Sequence, residues 1–425
     1  MHDDQPKPID VADLSLVEVS AAATLGHSVA ATPYVWREPE QLPRRPWIYG
    51  RWLLRGTVAC VVAPGGAGKS TVLASTALAL ATGRPLLGKP VHDGAKRVWL
   101  WNLEDDMDEL SRSIQSAALH HGIEPAELNG RLFVDSGMEG ARLCTATEDG
   151  GGFELLEPVY DALTVELTSR GIDVLIIDPF VSSHEVEENA NTKIDKIAKA
   201  WGRVAKAARC CIVLVHHTSK AGSGEVTAMS SRGAVALINA ARCTLVINRM
   251  DSDAARELGI SDDERRRCIS ISDDKHNRAP AEKADWYRLE SIDLGNGANG
   301  YPGDNIAVAV PWTLPDAFDG IKESDLYAVQ WLIAKGNYRA DAQAHEWAGK
   351  AVARALGLHP EKDKYRIKSL LKTWRNNGAL VTEMRKEPKT SKQKPHLAVG
   401  EWATPSPLPF HLVEGGGEKW QHDET

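Results

Sequence analysis

Between residues 50 and 300, short apolar runs alternate with longer stretches of helical periodicity. Val58-Ala59-Cys60-Val61-Val62, Arg97–Leu103, Asp173–Ile177, Cys211–Val215 and Arg242–Asn248 each read as a strand buried on both faces. Between them, Thr71–Ala81, a stretch from Asp105 to His121, Glu154–Arg170 after the break Gly150-Gly151-Gly152, and Ile194–Ala208 read as helices. That alternation predicts an α/β fold with a mainly parallel central sheet. Cys268–Ser272 and Trp286–Leu289 then read as antiparallel strands. From about residue 321 the pattern changes. Ser324–Ala334, Gln343–Leu356 and Lys362–Asn376 read as three helices, and Gly378–Met384 and His396–Trp402 as a two-stranded ribbon, the order of a winged helix. The expected organisation is a flexible arm over 1–40 with a short helix Val11–Leu25, an α/β domain over 41–300, a linker over 301–320, a small winged-helix-like α+β domain over 321–403, and a tail over 404–425.

Composition adds little to this, and distribution adds more. The 425 residues are 43% hydrophobic and 25% charged, as in an ordinary globular protein. No apolar run approaches a membrane span, and Met1-His2-Asp3-Asp4 does not open a signal peptide, so no membrane partner is expected. The six cysteines (Cys60, Cys144, Cys210, Cys211, Cys243, Cys268) show no C-x-x-C pairing and read as reduced core residues, which points to the cytoplasm. The net charge is −8, yet residues 361–395 hold eleven Lys and Arg against four acids. That segment is +7 in a chain otherwise −15, a footprint suited to phosphate backbones or to a solvated face of a protein-interaction module.

Chemistry concentrates where strands end. Ala63-Pro64-Gly65-Gly66-Ala67-Gly68-Lys69-Ser70-Thr71 follows the first buried run and opens the first helix. Small residues there let backbone N–H groups converge on phosphate oxygens, and the helix N-terminus favours the anion. Lys69 is placed to neutralise the β- and γ-phosphates, and the Ser70 hydroxyl to ligate Mg²⁺; Ala63 stands where the general pattern has its first glycine. Glu104 ends the second strand and suits a general base, with Asp105, Asp106 and Asp108 opening a helix. Arg112, further along it, could face phosphates or pair with Asp108. Asp178 tips the run Val174–Ile177, where it can hold Mg²⁺. Adjacent His216 and His217 point to opposite faces, and His217, nearer the loop, suits a polar sensor of the γ-phosphate. The loop Ala221–Ser230 is a candidate contact with a polymer track or a plain surface loop. Trp47, Tyr49 or Arg44 and Arg45 could stack on a base, or the aromatics could close the core.

With these features in order, the chain resembles a RecA-like P-loop ATPase, and more closely the RepA-type hexameric replicative helicases of plasmids and the related ATPases of phages and mobile elements. The resemblance spans roughly residues 45 to 295. It implies ATP and Mg²⁺ as cofactors, with Pro64, Gly65, Gly66, Ala67, Gly68, Lys69, Ser70 and Thr71 binding the nucleotide and Ser70 and Asp178 the metal. The family's Glu-Asp falls on Glu104-Asp105, supporting Glu104 as base, and its second histidine falls on His217. Ten residues beyond the Ser-Arg-Gly arginine, Arg232, the family carries an arginine that reaches the neighbouring subunit's ATP; here that is Arg242. Arg232, Lys275 and Arg278 remain rival fingers, and Arg112 matches another family arginine only with a one-residue gap. The implied partners are further copies of the chain in a hexameric ring and single-stranded DNA through it; duplex DNA through residues 362–394, outside the resemblance, is expected from the charge of that segment. A recombination or loader ATPase, or an ATP-switched DNA-binding regulator, would share the same core residues.

Overall fold

The computed structural model describes residues 31–218, 227, 235–276, 283–386 and 392–403. The expected helix Val11–Leu25, most of the loop 221–230, Arg232, Arg278 and the tail lie outside the described residues. The chain divides into two units, Met1–Arg45 and Pro46–Thr425. In the described part of the first, Tyr34 and Trp36 meet edge to face at 6.4 Å and are exposed.

The second unit opens on a small hairpin, β1 (Trp47–Tyr49) and β2 (Leu53–Leu54). Next come β3 (Thr57–Pro64), α1 (Lys69–Thr82), β4 (Val98–Asn102), α2 (Met107–His121) and β5 (Leu132–Ser136). A second hairpin, β6 (Ala146–Asp149) and β7 (Gly152–Leu155), precedes α3 (Glu157–Arg170), β8 (Val174–Asp178), α4 (Asn191–Ala207) and β9 (Cys211–Thr218). After these come α5 (Val235–Ala240), β10 (Cys243–Arg249), α6 (Ser252–Leu258), β11 (Cys268–His276), β12 (Asp285–Asp293) and β13 (Asn305–Pro311).

One nine-stranded sheet runs β13-β12-β11-β10-β3-β9-β8-β4-β5. The six strands from β10 to β5 are parallel, and β11, β12 and β13 extend them antiparallel. This is the mixed α/β architecture of a RecA-like P-loop core. The central strands β3 and β8 are apolar almost throughout because both their faces are covered. Along β3, Ala59, Val61 and Ala63 enter one core with α1, whereas Val58, Cys60 and Val62 enter the other with α3 and α4. α1 buries every residue from Val72 to Ala81, which explains its nearly continuous run of Ala and Leu. All six cysteines are free, five of them buried. Among the described residues no helix is long and apolar enough to cross a membrane.

Several expectations change in detail. The glycine break at 150–152 is the turn of the β6–β7 hairpin, with Gly152 at φ 109, so α3 starts later than Glu154. Residues 301–320 do not form a plain linker, because β13 pairs with β12 from Tyr287↔Pro311 to Asp293↔Asn305 and completes the sheet. Edge strand β5, with no fully apolar run, was not legible as a strand.

The C-terminal segment folds as α7 (Glu323–Lys335), α8 (Gly349–Leu356), α9 (Lys364–Asn376) and an antiparallel ribbon of β14 (Leu380–Lys386) and β15 (Gln393–Val399). Its own core gathers Val329, Ile333, Trp347, Val352, Leu370 and Trp374. α8 does not reach back to Gln343. Arg339 bridges both Trp347 and His396, and the Asp341 side chain accepts from Gln343 N at 2.9 Å, so the backbone there is committed to a turn. α9 packs against α6 of the ATPase-like core.

Candidate nucleotide site

At the C-terminal end of β3 the chain turns through Pro64 to Gly68 into α1. Gly66 and Gly68 take left-handed φ of 73° and 85°, which an L side chain resists. A Cβ at Gly68 would also meet Leu289 Cδ1 of β12 at 3.1 Å. Gly68 is the N-cap of α1, with no side-chain cap, so the first-turn N–H groups of Lys69, Ser70 and Thr71 lie at an open positive helix end. Ala63 sits within β3 opposite His217 with its methyl in the core. A glycine is not needed there, which accounts for the departure from the general motif.

Three strand tips converge on this cradle. β4 and β8 are paired through Asn102↔Asp178. Lys69 Nζ lies 2.6 Å from Asp178 Oδ1 in a pair that is nearly buried. Burial raises the Asp178 pKa, Lys69 opposes that rise, and nearby Glu104 and Asp105 add to it. His217 Nε2 approaches Asp178 Oδ1 at 3.4 Å without the alignment of a hydrogen bond, leaving a buried polar atom unpartnered beside the cradle. His216 points the other way as strand alternation requires; burial, then Lys69, lowers its pKa to about 4, and its Nδ1 lies 3.9 Å from Glu188.

Glu104 is held by neighbours that the sequence did not single out. Asn102 Oδ1 accepts from the backbone N–H of Glu104 at 2.8 Å and of Asp105 at 2.7 Å, while its Nδ2 donates to Asp105 Oδ2 at 3.0 Å. Ser182 Oγ donates to Glu104 Oε1 at 3.2 Å. The only sequence signal for Asn102 is a polar residue closing an apolar strand. Asp106 acts as expected of a cap, its carboxylate accepting from Glu109 N at 2.8 Å.

The basic candidates separate by place. Arg242 N donates to Val58 O at 2.9 Å, so Arg242 lies at the N-terminal end of the parallel strands. Val58 to Pro64 spans about 20 Å at strand rise, several times an arginine's reach, so Arg242 does not meet its own cradle. Its exposed side chain shares a cleft with Lys199, Arg203 and Lys206. Lys275 Nζ donates to Ile238 O at 2.7 Å and Asn239 O at 3.0 Å. Arg112 pairs with Glu109 at 2.7 Å and Asp304 at 3.1 Å, not with Asp108 and not facing the cradle. Arg249, the exposed basic residue that closes β10, donates from Nη2 to the carbonyl of Gly66. Tyr49 is fully buried, edge to face with Trp52 at 5.9 Å, so it closes the core and is not available to stack on a base.

The donor set fits a nucleoside triphosphate with a divalent cation. The cradle supplies N–H groups and Lys69 for phosphates, and the Ser70 hydroxyl and Asp178 carboxylate are hard oxygen ligands of the kind Mg²⁺ takes. Residues 29–223 match the family model of the AAA domain. The cradle, the sheet and this match together support a P-loop ATPase of the AAA type.

Proposed function

We infer that the protein is an ATP-hydrolysing, DNA-dependent motor that works as a ring of identical subunits, in the manner of the RepA-type replicative helicases it resembles. The observation that carries this reading is the separation of its parts. Lys69, Asp178, Glu104 and His217 meet at one end of the parallel sheet, and exposed Arg242 stands at the other. A head-to-tail ring would bring Arg242 of one copy to the cradle of the next, which is how a heterologous interface closes. Pro64–Thr71 would bind ATP, and Ser70 and Asp178 would hold Mg²⁺, which spreads charge on the transferring phosphoryl group. Glu104, oriented by Asn102 and Ser182, would take the proton of the attacking water, and His217 would contact the γ-phosphate.

Residues 321–403 would form a winged-helix-like module that binds duplex DNA. Support comes from the order of three helices and a ribbon, from the Arg339 bridge, and from Lys368, Lys372 and Arg375, exposed one turn apart on α9. The lack of cysteine pairing supports a cytoplasmic setting. The test measures ATP hydrolysis with and without single-stranded DNA, unwinding of a forked duplex, and mass with and without nucleotide. A severalfold stimulation, strand displacement and a mass near six subunits are expected. The packing of α9 on α6 favours a second reading, an ATP-switched DNA-binding regulator, for which slow, unstimulated turnover is the mark.

A further inference from the structure

We propose that Arg249 is a positioning residue for the phosphate loop and that α6, which begins three residues later, couples the basic helix α9 to that loop. The inference rests on the reading of α9 as a nucleic-acid surface. The peptide unit between Gly66 and Ala67 is gripped at both ends: Arg249 Nη2 donates to the Gly66 carbonyl, and Ala67 N donates to Pro64 O at 3.2 Å. Because a peptide unit is planar, fixing both ends fixes the tilt of the turn that leads into Gly68 and Lys69.

From Arg249 the chain passes without slack into α6. Met250 is buried with Ala255 and Cys268; its N–H donates to Cys268 O at 3.0 Å, and its carbonyl accepts from Arg265 Nη1 at 3.0 Å. The Asp251 carboxylate caps α6, accepting from Asp253 N and Ala254 N. α9 packs on α6, and Tyr365 Cβ lies 3.9 Å from where a side chain at Gly259 would stand. Arg366 fastens α9 to the backbone at Ala317 and Asp319. Lys368, Lys372 and Arg375 are exposed on α9, so a polyanion held there pulls on an element that begins three residues after the loop's clamp.

The test measures the affinity of a fluorescent ATP analogue with Mg²⁺, with and without a saturating short duplex, and separately the affinity for the labelled duplex. In the wild type the duplex is expected to shift analogue affinity by about fivefold or more, the usual lower range of coupling between sites. Arg249→Ala should bind the analogue severalfold more weakly, bind the duplex as the wild type does, and show no shift; Arg249→Lys, which keeps a donor, should restore part of it. An Arg249→Ala protein that keeps the wild-type shift, or that loses duplex affinity, overturns the inference. If the wild type binds duplex without any shift, the inference fails and the nucleic-acid reading stands. If it binds no duplex, both fall.

Discussion

The two ends of the parallel sheet are built from the same strands and carry opposite chemistry. At the C-terminal ends stand Lys69 and a ring of oxygens: Asp178, Glu104, Asp105 and Ser182, most of them already engaged with one another. At the N-terminal ends stand Arg242, Lys199, Arg203 and Lys206 around a cleft of about 470 Å³ that Asp195 also lines, with Lys199 paired to Asp195 at 2.6 Å and Arg203 to Glu157 at 2.7 Å. One end is organised and buried: Asp178 is 3% exposed. The other is open, and the Arg242 side chain is exposed there. A buried cluster with converging polar groups is complete as a binding site. An exposed cation facing outward is complete only with something brought to it. The contrast teaches that Arg242 cannot meet the cradle of its own chain, and the proposed division of the site between copies rests on that separation.

The sharpest way to break this comparison is to disable each end separately. Lys69→Ala should reduce ATP hydrolysis to background in a steady-state assay, since the phosphates lose their cation. Arg242→Ala should leave ATP binding intact and lower turnover by roughly 10³–10⁵, the range for a finger supplied in trans. Mixing the two variants should recover part of the activity, because some interfaces then pair an intact cradle with an intact arginine. Normal hydrolysis by Arg242→Ala would end the idea of a divided site. Next in size is Asn102→Ala, which frees the Glu104 backbone. A misplacement of about 1 Å at a reacting group costs on the order of 10² in rate, so turnover should fall by that much or less with the Michaelis constant for ATP little changed. An equal loss of affinity would mean that Asn102 shapes the cradle and not the base.

What the sequence disclosed about the two ends differs for a physical reason. The cradle was legible because its chemistry is contiguous: Pro64 to Thr71 must be small, then cationic, then hydroxylic, over one turn. The strand tips Glu104 and Asp178 were legible because a charge closing an apolar run stands out. The buried strands and the antiparallel β11 and β12 followed from the same contrast. Asn102, Ser182 and Arg249 were not legible as a set, because their roles come from register and topology: β4 lies beside β8, and β10 beside β3. Neither adjacency is written locally. Likewise β13 hid in an apparent linker, since it is an edge strand in which only Val308 and Ala309 are buried. The shorter α8 reflects a tertiary override, where the Arg339 bridges outweigh a helical pattern from Gln343.

Lys275 is the finest test of the comparison, because it stands near Arg242 at the open end and yet behaves like a residue of the organised one. Burial is the main cause lowering its pKa, with Arg242 adding to it. Its ammonium is spent on the carbonyls of Ile238 and Asn239 at the end of α5, groups that helix geometry leaves without partners. A cation so engaged is a fastening, and a finger has to be free to reach outward. Lys275→Ala should therefore cost stability, on the order of 1–3 kcal/mol for carbonyls left unsatisfied, read as a lower midpoint in thermal or urea unfolding. Turnover per folded molecule should fall far less than in Arg242→Ala. If instead Lys275→Ala unfolds like the wild type and abolishes turnover, the assignments of the two residues exchange, and the open end of the sheet presents its cation from β11 and not from the start of β10.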